Sequence, residues 1–185
     1  MLPPVSSMIP AIALWVYGVV FMVNGFFSLG KADPKGTGVV SMAGGAINTV
    51  FAFILAGACL IGFYMGALAE PVAMVGLVTA LLIFHFGILC WSVGPALTWG
   101  LDLKAAVTSL FFIAPFLVVY CPFFISHGMY WFAVNVCAWA VVVSLFGLVV
   151  HGKLNPKIAG WVWIIESVGT CFVPATILFL GGTLP

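Results

Sequence analysis

Glu166 lies within the apolar run Trp161-Val162-Trp163-Ile164-Ile165-Glu166-Ser167-Val168-Gly169-Thr170-Cys171-Phe172-Val173-Pro174. A charged group near a bilayer midplane costs roughly 2.5–3.5 kcal/mol on insertion scales, so it faces a bundle interior or a wet cavity and marks a pathway. Trp163, Glu166, Thr170 and Pro174 follow one another at i+3 and i+4 spacing. On a helix that spacing sets them on one face, which is in turn aromatic, acidic, hydroxylic and kinked. Such a face can accept hydrogen bonds from a small neutral solute, or carry a proton. The structural alternative is a Glu tied to a partner in another helix.

Two further stripes carry polar and aromatic groups. Pro10, Leu14, Tyr17, Phe21 and Asn24 recur at helical spacing near the start of the chain, as an ordinary seam or a narrow pore wall would. Trp131, Asn135, Trp139, Val142 and Phe146 form the second stripe. Trp131 suits an interfacial belt. Trp139 lies deep, where an indole N–H needs a partner or a ligand. Asn48 and Asn135 are also deep, and interhelical hydrogen bonding is their commoner use.

The chain is 65% hydrophobic and 5% charged, against roughly 25% charged residues in a soluble domain. It is therefore an integral membrane protein in contact with the lipid bilayer. The net charge of +1 excludes a nucleic-acid partner. Arginine is absent, so no fork-shaped clamp exists for a phosphate or carboxylate substrate. No Lys precedes the first apolar run, so no secretory signal is expected. Cys59, Cys90, Cys121, Cys137 and Cys171 have no metal-type spacing and read as small apolar fillers. His85 and His151 lie at different depths, which does not suit two ligands of one haem iron. His85 reads as a hydrogen-bonded structural residue. No catalytic motif or paired carboxylate is present, so neither an enzyme nor a cofactor is expected.

At about 20 residues per crossing, the apolar runs resolve into six helices. They are Ile9 to Leu29, Gly38 to Phe63, Val72 to Val93, Lys104 to Ile125, Gly128 to Val150 and Ile158 to Leu180. The fold class is an all-α, six-transmembrane-helix bundle forming a single domain over residues 1–185. Lys31, Lys35, Lys104, Lys153 and Lys157 all fall in connections one, three and five. Short Lys-bearing loops stay cytoplasmic, so both termini are expected outside. Small residues such as Ser41, Gly44, Gly45, Ala52 and Gly57 permit close packing in the second helix, within the bundle or between subunits.

Asn24-Gly25 followed by Lys31-Ala32-Asp33-Pro34-Lys35 resembles the family of bacterial urea and short-chain amide channels. So do Trp99-Gly100-Leu101-Asp102, Ala133-Val134-Asn135 with Trp139, and Ile164-Ile165-Glu166 with Thr170 and Pro174. The resemblance runs over the whole chain. It implies a six-helix protomer with its own pore, assembled as a homo-hexamer in the bacterial cytoplasmic (inner) membrane. It also implies that Leu14, Tyr17, Phe21, Trp139 and Glu166 line the route. Acid-gated members carry more aromatic residues where Val136 and Val143 stand here, and long outer loops with several histidines. Here the outer connections hold only Glu70 and His127, so gating by histidine protonation is not expected.

The leading expectation is a passive channel for a small uncharged solute, urea or a short-chain amide. Its pathway residues are Leu14, Tyr17, Phe21, Asn135, Trp139, Trp163, Glu166 and Thr170. Flat amide faces can stack on the aromatic rings, and apolar constrictions interrupt a water file. A proton-coupled carrier of a small acid or neutral solute, using Glu166, is the alternative. A membrane anchor for a soluble partner is a third class, and its charged docking tail is missing.

Overall fold

The computed structural model describes residues 5–184, apart from the side chains of residues 5–7, 109, 110, 112 and 113. The described chain is all helical: α1 Val5–Ser28, α2 Pro34–Tyr64, α3 Glu70–Trp99, α4 Leu103–Ser126, α5 Tyr130–Val150, and α6 Pro156–Glu166. A π-helical turn, Ser167–Phe172, then leads into α7 Val173–Phe179. α6, the π turn and α7 form one continuous run, Pro156–Phe179. Five helical runs are long and apolar enough to cross a membrane: Met8–Ser28, Pro34–Tyr64, Glu70–Trp99, Tyr130–Val150 and Pro156–Phe179. In α4 the apolar run Ala114–Ser126 is shorter.

Helix starts at the Lys-bearing connections are capped by side chains. Asp33 Oδ1 accepts from Gly36 N at 2.7 Å, Asp102 Oδ1 from Lys104 N at 2.9 Å, and Asn155 Oδ1 from Lys157 N at 2.9 Å. Each cap satisfies a backbone donor that the first helical turn leaves free. Pro34 and Pro156 follow their caps directly, where a missing N–H costs nothing. This places Pro34 to Thr37 in α2 and Pro156-Lys157 in α6, whereas the expected connections ran to Thr37 and Lys157.

The expected break after Val93 is also corrected. α3 continues through Gly94 and Pro95 to Trp99 and stops at Gly100, φ 68°. Proline inside an apolar helix is tolerated where neighbouring groups and local adjustments satisfy the freed carbonyl. Gly100 marks the end because the left-handed conformation carries little penalty only without a Cβ.

Helix pairs touch backbone to backbone at glycines. A Cβ at Gly94 would lie 2.9 Å from Gly38 O, and one at Gly38 would lie 2.5 Å from Gly94 O. Two turns along, a Cβ at Gly45 would lie 3.0 Å from Gly87 O. These contacts pack α2 antiparallel on α3. Gly25 and Gly160 do the same for α1 and α6, each Cβ position being 2.9 Å from the other's carbonyl oxygen. Ser167 Oγ donates to Gly18 O at 2.8 Å and fixes the π turn to α1. α1, α3, α5 and the Pro156–Phe179 run bury their faces against one another. α2 and α4 present exposed Val50, Phe53, Ile54, Ile61, Phe116 and Val119 outward, an apolar surface suited to lipid.

Four cysteines are buried and Cys137 is exposed. Cys121 Sγ on α4 lies 2.8 Å from Cys137 Sγ on α5. His85 Nδ1 lies 2.8 Å from the Tyr120 hydroxyl, a hydrogen-bonded pair between α3 and α4.

Candidate functional site

The α1 stripe faces the interior as its spacing predicts: Leu14, Tyr17, Phe21 and Asn24 are all buried. Trp139, Val142 and Phe146 of α5 are buried opposite. α3 completes the wall with Thr79, Ile83, Phe86, Cys90 and Val93, a run at i+4 and i+3 spacing. Trp163 enters from α6 and is also buried.

Phe86 is the hub of the aromatic set. Its ring centroid lies 4.8 Å from Tyr17, 5.0 Å from Trp139 and 6.1 Å from Phe21. Trp163 extends the set edge-on, 5.0 Å from Phe21 and 5.5 Å from Phe146. Most of these contacts are tilted or edge-to-face, the arrangement the ring quadrupoles favour.

Two small cavities lie on either side of this hub, named outer and inner after the orientation expected from the lysines. The outer one, about 20 Å³, is bounded by Pro10, Leu14 and Tyr17 of α1, Thr79 and Ile83 of α3, and Phe132 and Trp139 of α5. The inner one, about 30 Å³, is bounded by Val20, Phe21 and Asn24 of α1, Ser41 of α2, Phe86 to Val93 of α3, Val143 and Phe146 of α5, and Trp163. Each holds about one or two waters by volume. They follow one another along α1, from Pro10 to Asn24, which at 1.5 Å per residue is about 21 Å. That is most of a hydrocarbon core of roughly 30 Å. The partition between them is the contact of Tyr17, Phe86 and Trp139.

The partition is anchored by hydrogen bonds. The Tyr17 hydroxyl donates to Ile83 O, which ties α1 to α3. Trp139 Nε1 donates to Thr170 Oγ1 at 2.8 Å, and Thr170 Oγ1 donates to Glu166 O at 2.7 Å. The indole partner that the depth of Trp139 demands is therefore Thr170. The π turn places it. Pro174 has no N–H for Thr170 O and its ring crowds that carbonyl, so the backbone widens, and Val173 N donates five residues back to Val168 O.

The widened turn changes the face read from the sequence. Trp163, Ser167, Cys171, Pro174 and Ala175 form the buried line, while Glu166 and Thr170 are half-buried beside it. Of the eight expected pathway residues, Leu14, Tyr17 and Trp139 bound the outer cavity, and Phe21 and Trp163 the inner. Asn135, Glu166 and Thr170 bound neither. Asn135 Nδ2 donates within its own helix to Trp131 O at 2.6 Å, so this amide hydrogen is not the interhelical bond expected. That role falls to Asn24, whose Nδ2 donates to Ser41 Oγ at 3.1 Å. Glu166 Oε2 and both amide atoms of Asn48 are buried without a hydrogen-bond partner. The absent name among the expected residues is Phe86. Its run from Thr79 to Val93 has helical spacing, but α3 is so apolar that the spacing alone does not single this run out.

Among curated proteins, none matches this chain. Two solved structures share its fold. The first, a cryoEM structure of the Helicobacter pylori urea channel in a closed state, is 22% identical with a TM-score of 0.76, and the match covers 92% of this chain and 97% of that one. The second, a crystal structure of the urea channel from the same gastric pathogen, is also 22% identical over 92% and 97%, with a TM-score of 0.69. The sequence profile described as AmiS/UreI family transporter matches residues 9–182. An all-helical, multi-pass membrane chain with an aromatic-lined interior and this profile over nearly its full length belongs to the AmiS/UreI transporter family.

Proposed function

We propose that the protein is a passive, acid-independent channel for urea or short-chain amides. In this reading one protomer is one six-span domain with both termini outside, and six protomers assemble in a bacterial inner membrane, each with its own pore. α4 supplies the sixth crossing: its 24 residues measure about 36 Å at 1.5 Å per residue. The pathway runs past Leu14, Tyr17, Phe21, Asn135, Trp139, Trp163, Glu166 and Thr170, with Phe86 added.

The observation that carries this reading is the pair of small cavities whose walls meet in the Tyr17–Phe86–Trp139 contact, Tyr17 and Trp139 bounding one and Phe86 the other. Flat rings on both sides suit a flat neutral solute. Side-chain rotation opens the partition one molecule at a time, and an apolar gap disfavours a continuous file of water or ions. No acidic or basic side chain bounds either cavity among the described residues.

A carrier reading draws on the unpartnered Oε2 of Glu166, where a proton could reside. Stopped-flow uptake of urea and acetamide into proteoliposomes separates the two. A channel gives uptake that follows the solute gradient alone and is unchanged by an imposed pH gradient. Uptake that rises and reverses with the pH gradient supports the carrier, and no uptake of either solute removes both.

A further inference from the structure

Most of the inner cavity wall is hydrocarbon, yet two of its side chains hold buried polar atoms with no partner. They are Asn24 Oδ1, a hydrogen-bond acceptor, and Trp163 Nε1, a donor. The two residues are 3% and 7% exposed. The Asn24 amide is oriented by its donors, because Nδ2 reaches Val20 O at 2.8 Å and Ser41 Oγ at 3.1 Å. Flipping it would set Oδ1 against the Val20 carbonyl, acceptor against acceptor. The free atom is thus the oxygen. The Trp163 indole can only donate, and its ring is held between Phe21 and Phe146.

We infer that Asn24 and Trp163 together bind one primary amide group in the inner cavity, Asn24 Oδ1 accepting from the solute N–H and Trp163 Nε1 donating to the solute C=O. The inference rests on the channel reading above and assigns its recognition to one residue pair. A primary amide carries a donor and an acceptor on one planar carbon, which is the complement of this pair. Ions find no counter-charge in the cavity, and a hydrocarbon-sized solute leaves both polar atoms unpaired, the condition under which a site rejects a ligand most strongly. The rest of the wall is apolar, with Val20, Leu89, Val93 and Val143 among it, except for Ser41 and Cys90. The cavity has room for about one or two waters, so side chains must shift to admit an amide. A methyl or ethyl substituent then packs on the apolar wall, whereas the second amino group of urea meets only the Ser41 hydroxyl, which already accepts from Asn24 Nδ2. The pair therefore favours acetamide and propionamide over urea.

The test is stopped-flow flux in proteoliposomes for water, urea, acetamide and propionamide. Wild-type protein should pass the two amides faster than urea. Trp163→Phe keeps a ring and removes the donor. It should lower amide flux about five- to tenfold, the worth of roughly one hydrogen bond, and water permeability by less. Asn24→Leu should act in the same direction. Unchanged amide flux in Trp163→Phe, or an equal fall for water and amides, overturns the inference and leaves the channel reading standing. A wild type that passes no solute overturns both. A second measurement needs no variant. In protein carrying ¹⁵N-labelled indoles, saturating acetamide should move at least one of the seven tryptophan N–H resonances. If none moves, the pair does not bind amide.

Discussion

Trp139 keeps its place through one hydroxyl. Thr170 Oγ1 accepts from its indole at 2.8 Å, and no other acceptor among the described residues bonds that N–H. Thr170→Val keeps the shape and removes the acceptor. An orphaned buried donor costs about 1–3 kcal/mol, so thermal or denaturant unfolding in detergent should show a loss of that size. Glu166→Gln should behave differently. Oε2 has no hydrogen-bond partner to abandon, and the carboxyl's side-chain partner, the Thr170 hydroxyl, can still bond the amide of Gln, so the change should alter stability by less than about 1 kcal/mol. The usual cost of breaking a buried ion pair, about 3–5 kcal/mol, should be absent. A loss of that size would reveal a partner for the carboxylate. The same residues mark the limit of sequence reading at this scale. Leu14, Tyr17 and Phe21 were legible because polar and aromatic groups punctuate α1 at helical spacing. Phe86 was not, because α3 is apolar on every side and its inward stripe has no polar contrast to stand against.

Between helices the decisive groups are the glycines. Gly38 with Gly94, and Gly45 with Gly87, bring α2 and α3 to backbone contact at two points, and Gly25 with Gly160 does so for α1 and α6. In lipid, apolar side chains gain little by leaving solvent, so such close approach is how helices hold together. Gly94→Leu would drive carbon into Gly38 O and Met42, which already lie 2.9 Å and 2.5 Å from a Cβ at that position. Overpacking of this kind costs about 1–3 kcal/mol or more. The variant should melt earlier and run broader on size exclusion, whereas Gly57→Ala, with nothing within 4 Å of its Cβ position, should match wild type. The small-residue richness of the second helix announced close packing, but not which helix it meets. That depends on α3 continuing through Gly94 and Pro95, against the local rule that such a pair ends a helix. The π turn was equally hidden: Pro174 predicts a kink, and whether a kink bends or widens the backbone is settled by what Thr170 and Ser167 can bond to across the bundle.

At the scale of the whole molecule, all five lysines, and the three side-chain-capped helix starts among the described residues, lie at the same set of connections. This asymmetry motivates the orientation with both termini outside. Cysteines introduced at Lys35 or Lys153 should react with an impermeant maleimide only from the cytoplasmic side, and those at Glu70 or His127 only from outside. The reverse pattern would invert the orientation. The same asymmetry bears on acid response, because it leaves His127 as the histidine at the outer connections. Its Nδ1 lies 2.8 Å from Phe123 O and 3.1 Å from Ser126 Oγ, and its ring lies 4.3 Å from Phe123. All three contacts are to residues of the last turn of its own helix, α4. It joins no second helix and bounds neither cavity. A histidine that gates by making or breaking contacts between elements needs such a contact, and His127 has none to break; His85, bonded to Tyr120 of α4, and His151, beside Thr108 of α4, have one, but neither bounds either cavity. Solute flux should therefore stay within about twofold from about pH 7 to about pH 5, the range in which an ordinary histidine titrates. Stopped-flow uptake of urea and acetamide with equal pH on both sides of the membrane measures it. A rise of tenfold or more on acidification, surviving in His127→Gln, would place the proton elsewhere and direct attention to the unpartnered carboxylate oxygen of Glu166.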